Sequence, residues 1–365
     1  LRIRDRPTRA AGSCVVAASC VLKLHNIIPD PTRDNLPLGN LVLCNLTIAG
    51  RVLAAPMAGV SDQPYRTLAR RYGAALAVSE MVASAPELRQ SEKSRRRTTH
   101  DGEAGPISVQ LLGADPAQMA SAARENVARG AQIIDINMGC PTKKVCRRLV
   151  GSALMQDEPL VARILEAVVQ SVDVPVTLKM RTGWDRVSRN APVIANIAEQ
   201  AGIRALTVHG RSRQCKYHGP IDYDTITEVK AAVSIPVIAN GDIDTPEQAR
   251  RVLQATGADA VMVGRAAQGQ PWLLGRISSF LDRNQDPGDP PLAEKYDTLR
   301  GHLDALYSFY GCDDGVRIAR KHFQWYAARL SPHNPFRRLF NCASSPSAQQ
   351  VLVTDFFDNL ASRET

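Results

Sequence analysis

The sequence predicts an α/β fold, a (β/α)8 TIM barrel followed by a small C-terminal all-α helical domain. Three observations carry this reading. From residue 51 onward eight short, β-rich apolar runs alternate with segments of helical periodicity. The runs are nearly continuous in Val, Ile, Leu and Ala, as strands buried on both faces are, and eight of them over about 215 residues match a closed parallel barrel. A Pro-rich break then separates the eighth unit from a purely helical tail. A doubly wound sheet is the competing architecture, but it usually carries an early Gly-rich dinucleotide turn and no GxGxxG is present.

Residues 1–40 place Arg2, Arg4, Arg6 and Arg9 ahead of an Ala/Cys/Val stretch, which faintly imitates a signal or transit peptide. The alternative is an N-terminal extension, expected to be poorly ordered, and it stands outside the fold argument. The barrel domain is expected over 41–283. Its runs are RVLAAP (51–56), ALAVSE (75–80), ISVQLL (107–112), QIIDIN (132–137), PVTLKM (175–180), RALTVH (204–209), PVIANG (236–241) and DAVMVG (259–264). Helical spacing between them is exemplified by Leu160, Ile164, Leu165 and Val168. The stretch RNQDPGDPPL makes 284–292 a linker, and 293–365 the helical domain, with helices expected over 293–310 and 315–330, the second ending before Ser331 and Pro332.

The 365 residues, 44% apolar and 22% charged, have the composition of a soluble globular protein and exclude disordered, collagenous and disulfide-scaffold classes. The longest nearly charge-free apolar stretch, Ala10 to Leu22, is shorter than the roughly 20 residues a bilayer span needs, so no membrane helix is expected. Eight cysteines (Cys14, Cys20, Cys44, Cys140, Cys146, Cys215, Cys312 and Cys342) contain no CxxC pair. They read as free thiols in a reducing cytoplasm, with no metal site. A net charge of +9 favours a polyanionic partner.

Chemistry in a barrel of this type sits at the C-terminal ends of the strands. The polar residues there are Pro56, Met57 and Ala58 after strand one, Glu80 after two, Gln110 in three, Asn137 and Cys140 after four, and Lys179 and Arg181 in five. Strand six adds His209 and Arg211, strand seven Asn240, Gly241 and Asp242, and strand eight Gly264 and Arg265. So many polar strand ends on one face point to a single shared site. The turns after strands seven and eight are the usual phosphate cup of this fold. A cofactor phosphate there would direct the rest of the molecule toward Lys179, which can stabilise an anionic reduced flavin, and Gln110, which offers donor and acceptor to a pyrimidine-like ring edge.

Six segments in order, APMAGVSDQPYR (55–66), INMGCPTKKV (136–145), VTLKMRTGW (176–184), LTVHGRSR (206–213), ANGDI (239–243) and VMVGRAAQGQPW (261–272), resemble the tRNA-dihydrouridine synthases over about residues 45–345. The likeness is closest to the bacterial B-type subfamily, through SEM at 79–81, GCPTKKV at 139–145 and RIARKHFQWY at 317–326. Two departures stand out: the first 40 residues have no counterpart, and 147–151 is more basic and bulky than the glycine-rich segment of many relatives. The resemblance implies an FMN enzyme that takes electrons from NADPH or NADH and reduces the C5–C6 double bond of a tRNA D-loop uridine. It also implies that Pro56, Met57 and Ala58 line the isoalloxazine, Gln110 and Lys179 bind its polar edge, and His209 lies nearby. Asn240, Gly241, Asp242, Gly264 and Arg265 would take the phosphate end, and Cys140 would be the proton donor.

Hydride delivery to C6 of uracil leaves an enolate that must be protonated at C5, and an ordinary thiol, with a pKa of about 8.5, is protonated near neutrality and can supply that proton. Lys143, Lys144, Arg147 and Arg148 beside it are expected to face RNA phosphates, or else form a solvated face. The same choice applies to Arg89, Lys93, Arg95, Arg96 and Arg97. Between Gly315 and Thr354 there is no acidic residue, while Arg317, Arg320 and Lys321 stand among Phe323, Trp325 and Tyr326. Basic residues interleaved with aromatics suit phosphate neutralisation and base stacking, or a helical core with a solvated face. The expected RNA contacts are therefore Asn137, Lys143, Lys144, Arg147, Arg181, Arg211, Arg317, Arg320 and Lys321, in a protein expected to be monomeric. A uridine inside folded tRNA reaches a barrel mouth only when everted. Two other functions remain open from sequence: an FMN oxidoreductase of a free pyrimidine, of the dihydroorotate-oxidising kind, and a non-catalytic RNA-binding barrel.

Overall fold

The computed structural model describes residues 39–364 apart from 90, 147, 148 and 333. The expected N-terminal extension thus lies almost wholly outside the described residues. The chain first makes an antiparallel hairpin, β1 (Leu41–Leu43) and β2 (Leu46–Ile48), that the sequence reading did not anticipate. Leu41, Leu43 and Ile48 bury against Leu53, Leu76, Ile133, Ile238 and Ala260, at the beginnings of the barrel strands, so the hairpin plugs the N-terminal end of the barrel. Three-residue strands are too short to show a period.

The barrel strands are β3 (Val52–Ala54), β4 (Leu76–Ala77), β5 (Val82–Ala83), β6 (Ser108–Leu112), β7 (Ile133–Met138), β8 (Val176–Arg181), β9 (Leu206–His209), β10 (Val237–Asn240) and β11 (Ala260–Val263). All pair in parallel, in the order β4-β3-β11-β10-β9-β8-β7-β6-β5. The second of the eight runs holds β4, and β5 follows just beyond its end: β4 pairs with β3 and β5 with β6, while a bridge between Val78 and Ser108 closes the ring. The interruption has a visible cause. Ser79 Oγ takes the Gln110 amide at 3.0 Å, so a side chain substitutes for a carbonyl in the ladder.

Between and after the strands lie α1 (Gln63–Arg71), α2 (Pro86–Arg89), α3 (Glu92–Arg97), α4 (Pro116–Ala128), α5 (Lys143–Cys146), α6 (Glu158–Val169), α7 (Ala191–Gln200), α8 (Tyr223–Ala232), α9 (Pro246–Thr256) and α10 (Leu273–Arg283). Their starts are written locally. Asp62, Asp115, Asp157 and Thr245 each accept a hydrogen bond from an amide in the first turn of the following helix, and each of those turns contains a proline whose fixed φ suits it. Ile164, Leu165 and Val168 of α6, read as a helical stripe in the sequence, are fully buried together with Val161, whereas Leu160 at the helix start is half-buried.

Beyond Arg283 the chain runs through the Pro-rich segment to α11 (Leu292–Tyr310), α12 (Cys312–Leu330), α13 (Phe336–Cys342) and α14 (Pro346–Glu364). α12 starts three residues earlier than its apolar spacing suggests, with Asp313 and Asp314 in its first turn complementing the helix dipole. Phe323 and Phe340 stack at 4.1 Å and, with Tyr326 and Phe356, form a core of their own. These aromatics are therefore packing groups and are not available to stack on bases. His302 and His322 meet edge to face at 4.6 Å inside the helices, both held below the ordinary histidine pKa mainly by burial. Among the described residues no helix is long and apolar enough to cross a membrane, and no group of three His, Cys, Asp or Glu could hold a metal.

Candidate active site at the barrel mouth

The strand period decides what faces the barrel axis. In β7 Asp135 and Asn137 lie two apart, as do Thr177 and Lys179 in β8, and the register pairs Asp135 with Thr177 and Asn137 with Lys179. Gln110 of β6 pairs with Asp135. The side chains of these neighbours form one hydrogen-bonded chain. Thr177 Oγ1 donates to Asp135 Oδ1 at 2.6 Å, and Gln110 Nε2 to Asp135 Oδ2 at 2.7 Å. Asn137 Nδ2 then donates to Gln110 Oε1 at 2.7 Å, while Asn137 Oδ1 accepts the amides of Gly139 at 3.1 Å and Cys140 at 3.0 Å.

Cys140 sits at the far end of that chain, half-buried, with its Sγ 3.5 Å from Thr142 Oγ1. Its carbonyl accepts from Ser152 Oγ at 2.9 Å. Gly151, at φ +65°, lies directly behind it: a Cβ there would stand 2.9 Å from the Cys140 carbonyl oxygen and 3.2 Å from its Cβ. The loop that presents the thiol is thus held from both sides.

On the opposite flank Lys179 Nζ donates to Asn240 Oδ1 at 2.9 Å, and Asn240 Nδ2 to the Met262 carbonyl at 2.8 Å. Burial pushes Lys179 down to about 8, aided by Arg181 and opposed by Asp135. Asp135 is pushed up to about 6 by burial, against its bonds to Thr177 and Gln110 and the charge of Lys179. His209 is held well below the ordinary histidine pKa by burial and by Lys179, Arg181, Arg211 and Arg265 around it. An anionic ligand would reverse that balance for Lys179, whose ammonium donates to Asn240 and has two further hydrogens to offer.

One cavity of about 680 Å³ gathers Pro56, Met57, Ala58, Gln110, Lys179, His209, Asn240, Gly241, Asp242, Gly264 and Arg265, together with Asn137, Cys140 and Arg181. The volume lies in the range of cofactor pockets. Asp242 is a carboxylate in the expected phosphate cup, yet its oxygens accept from Arg211 at 2.5 and 2.8 Å and from Arg265 at 3.0 Å. It therefore aims the half-exposed Arg265 guanidinium and leaves the cup cationic.

Several residues expected to touch RNA are placed otherwise. Arg181 and Arg211 are buried and spend their donors inside: Arg181 on the carbonyls of Gly139, Ser212 and Lys216, Arg211 on Asp242 and Gly219. A strand-end arginine looks the same in sequence whether its partners are phosphates or carbonyls. Arg317 is exposed and pairs with Asp314, just outside the acid-free stretch, and Arg320 is half-buried. Lys321 donates to the Gly59 carbonyl, and Arg96 and Arg97 pair with Asp314 and Glu80. Lys143 and Lys144 open α5 directly after Cys140, whereas Arg147 lies outside the described residues.

Three further residues complete the site. Asp135 lies behind the cavity wall, bonded to Gln110, and was legible as a lone carboxylate in an apolar strand, two residues before Asn137. Tyr217, 46% exposed, has the guanidinium carbons of Arg181 and Arg265 5.5 and 5.0 Å from its ring centre. Arg329 reaches in from α12, and no local signal distinguishes it from its neighbours in the sequence.

Comparison with known proteins fits this geometry. The family model described as Dihydrouridine synthase (Dus) matches residues 52–361. The chain is 57% identical over 314 residues to "tRNA-dihydrouridine synthase B" of Xanthomonas axonopodis pv. citri, covering 86% of this chain and 95% of that protein. It is 56% identical over 311 residues to the protein of that name from Pseudomonas aeruginosa, covering 85% and 94%. The protein of that name from Vibrio cholerae matches at 52% over 318 residues, covering 87% and 99%. With its barrel, its mouth residues and the match spanning both barrel and helices, the chain belongs to the dihydrouridine synthase family.

Proposed function

We propose that the protein reduces the C5–C6 double bond of a D-loop uridine in tRNA, using FMN in the barrel mouth, NADPH or NADH as reductant and Cys140 as the proton donor, in the cytoplasm. The observation that carries the reading is the continuous polar chain from Gln110 through Asn137 to the Cys140 amide, along one wall of one cavity. The donor set suits FMN: an ammonium and an amide at the axis, and Arg265 with the glycine turns of Gly241 and Gly264 at the strand-seven and strand-eight exits. FMN, when bound, supplies the hydride.

The chain's own residues do the rest. Lys179 offers positive charge where negative charge gathers, and Gln110 is oriented for a ring edge by Asp135 on one side and Asn137 on the other. Asn137 fixes the backbone that carries the thiol, so the acid is held in place before the uracil arrives. The thiol gives its proton to C5 and is restored from solvent.

The test is to purify the protein, record its visible spectrum with and without added FMN, and map dihydrouridine in tRNA from a strain lacking it. A yellow protein whose loss removes dihydrouridine from the D-loop supports the reading. A protein that takes up no FMN on reconstitution overturns the site, and activity on free uridine equal to that on tRNA overturns the substrate.

A further inference from the structure

Helix α12 crosses the mouth between the exits of β3 and β11, and two of its cations end on main-chain carbonyls of the loops there. Lys321 Nζ donates to the carbonyl of Gly59, whose own amide is taken by the Glu80 carboxylate, so the peptide groups on both sides of Gly59 are held. From α11 the Tyr310 hydroxyl donates to Asp62 Oδ2 at 2.9 Å, while Asp62 Oδ1 caps α1 through the Tyr65 amide at 3.0 Å. The loop so pinned carries Met57 and Ala58, on the cavity wall.

Eight residues further along α12, about 12 Å, Arg329 reaches the other side. Its Nε donates to the Gln268 carbonyl and its Nη2 to the Ala266 carbonyl, each at 2.8 Å. Those carbonyls belong to the turn that follows Gly264 and Arg265. Between the two anchors helix and loop touch backbone to backbone: Gly269, at φ +72°, leaves so little room that a Cβ would stand 2.4 Å from the Trp325 carbonyl carbon. Charged donors on carbonyls make stronger bonds than neutral ones, and here they join segments of the chain that share no sheet or helix.

We propose that Lys321 and Arg329 are positioning residues of the cofactor site: α12 braces the loops after β3 and β11, and these two cations serve the flavin cavity and not the RNA backbone. The proposal rests on the reading of that cavity as the FMN site. It reassigns Lys321, whose sequence context alone suggests a phosphate contact.

The experiment compares the wild-type holoprotein with Lys321→Met and Arg329→Met, which keep the aliphatic stems, and with Tyr310→Phe, which removes one hydroxyl from the same loop. FMN titration followed by flavin fluorescence should show each methionine variant binding about tenfold more weakly. The visible flavin bands should shift, and Arg329→Lys should recover part of the affinity. Tyr310→Phe should shift the bands in the same direction by less, and this milder variant keeps the test decisive if a methionine variant fails to fold. The slope of log affinity for tRNA against log salt should equal that of the wild type in every variant.

Wild-type FMN affinity and bands in the folded variants would overturn the proposal. So would a salt slope flattened by about one per cation removed with flavin binding intact, because that is the signature of phosphate contacts. Failure of the wild type itself to take up FMN would instead overturn the site reading, and the brace with it.

Discussion

The barrel mouth buries its cation while helix α12 holds two at the rim, Lys321 partly covered and Arg329 exposed, and the two regions use them differently. Lys179 hangs from a strand, faces the cavity and donates to a neighbouring side chain, Asn240. Lys321 and Arg329 hang from a helix, and their donors end on carbonyls of loops that other strands deliver. In the first region a residue's role follows from its register in the sheet. In the second it follows from what the helix is packed against, which no local pattern records. A basic helix face is therefore a poor indicator of a nucleic-acid surface until its partners are known, whereas a polar strand end in a parallel barrel is a good indicator of a site.

The sharpest way to probe the strand-borne region is Cys140→Ala. Turnover to dihydrouridine should fall by about 10²–10⁴, the usual contribution of a positioned acid, while flavin reduction by NADPH and tRNA affinity stay near wild type. Dihydrouridine formed at the wild-type rate would assign the proton to another group. The helix-borne region has its counterpart in Gly269→Ala, which forces a Cβ against the Trp325 backbone at a positive φ. About 3 kcal/mol of stability should be lost, read from urea unfolding, and a neutral result would show that α12 has room to slide.

Asp135→Asn tests the polar chain itself. It removes a carboxylate that accepts from both Thr177 and Gln110, and leaves Gln110 poorly oriented. About 2 kcal/mol and much of the FMN affinity should go together; retention of full affinity would detach Asp135 from the site.

A smaller effect separates Lys179 by pH. Its folded pKa of about 8 lies below the unfolded value of about 10.4, so between the two the unfolded chain binds more protons and stability rises with pH. The flavin-free wild type should gain a few degrees in Tm relative to Lys179→Met between about pH 8 and pH 9.5, where the variant lacks this titration. Parallel curves would mean that the ammonium is better solvated than its burial implies. The smallest change is expected from Arg317→Ala, an exposed pair with Asp314, which should alter stability by less than about 0.5 kcal/mol.

Most of the barrel was legible because buried parallel strands have a composition of their own, and the positions of Gln110, Asn137, Lys179 and Asn240 at strand ends followed from it. The hairpin of β1 and β2 was not, since two three-residue strands leave no period to read. Arg181 and Arg211 were visible as mouth residues, but their carbonyl and carboxylate partners come from loops whose paths depend on the whole ring of strands. The split at Ser79 was hidden for a different reason: a serine hydroxyl that replaces a backbone acceptor looks like any other polar residue near a strand end.

The bond from Lys321 to Gly59 spans 262 residues, and that from Tyr310 to Asp62 spans 248. Synthesis runs from the N-terminus, so the loop after β3 is among the first parts of the barrel to leave the ribosome and among the last to find its partners. Once β11 has been made and can pair with β3, roughly 60 residues still separate it from Lys321, on the order of 3–12 s of translation at about 5–20 residues per second. For that interval a ring of strands can close around an entrance whose rim is still loose. The braced rim exists only after α12 has emerged and folded back, which makes completion of the mouth one of the last events in the birth of the chain.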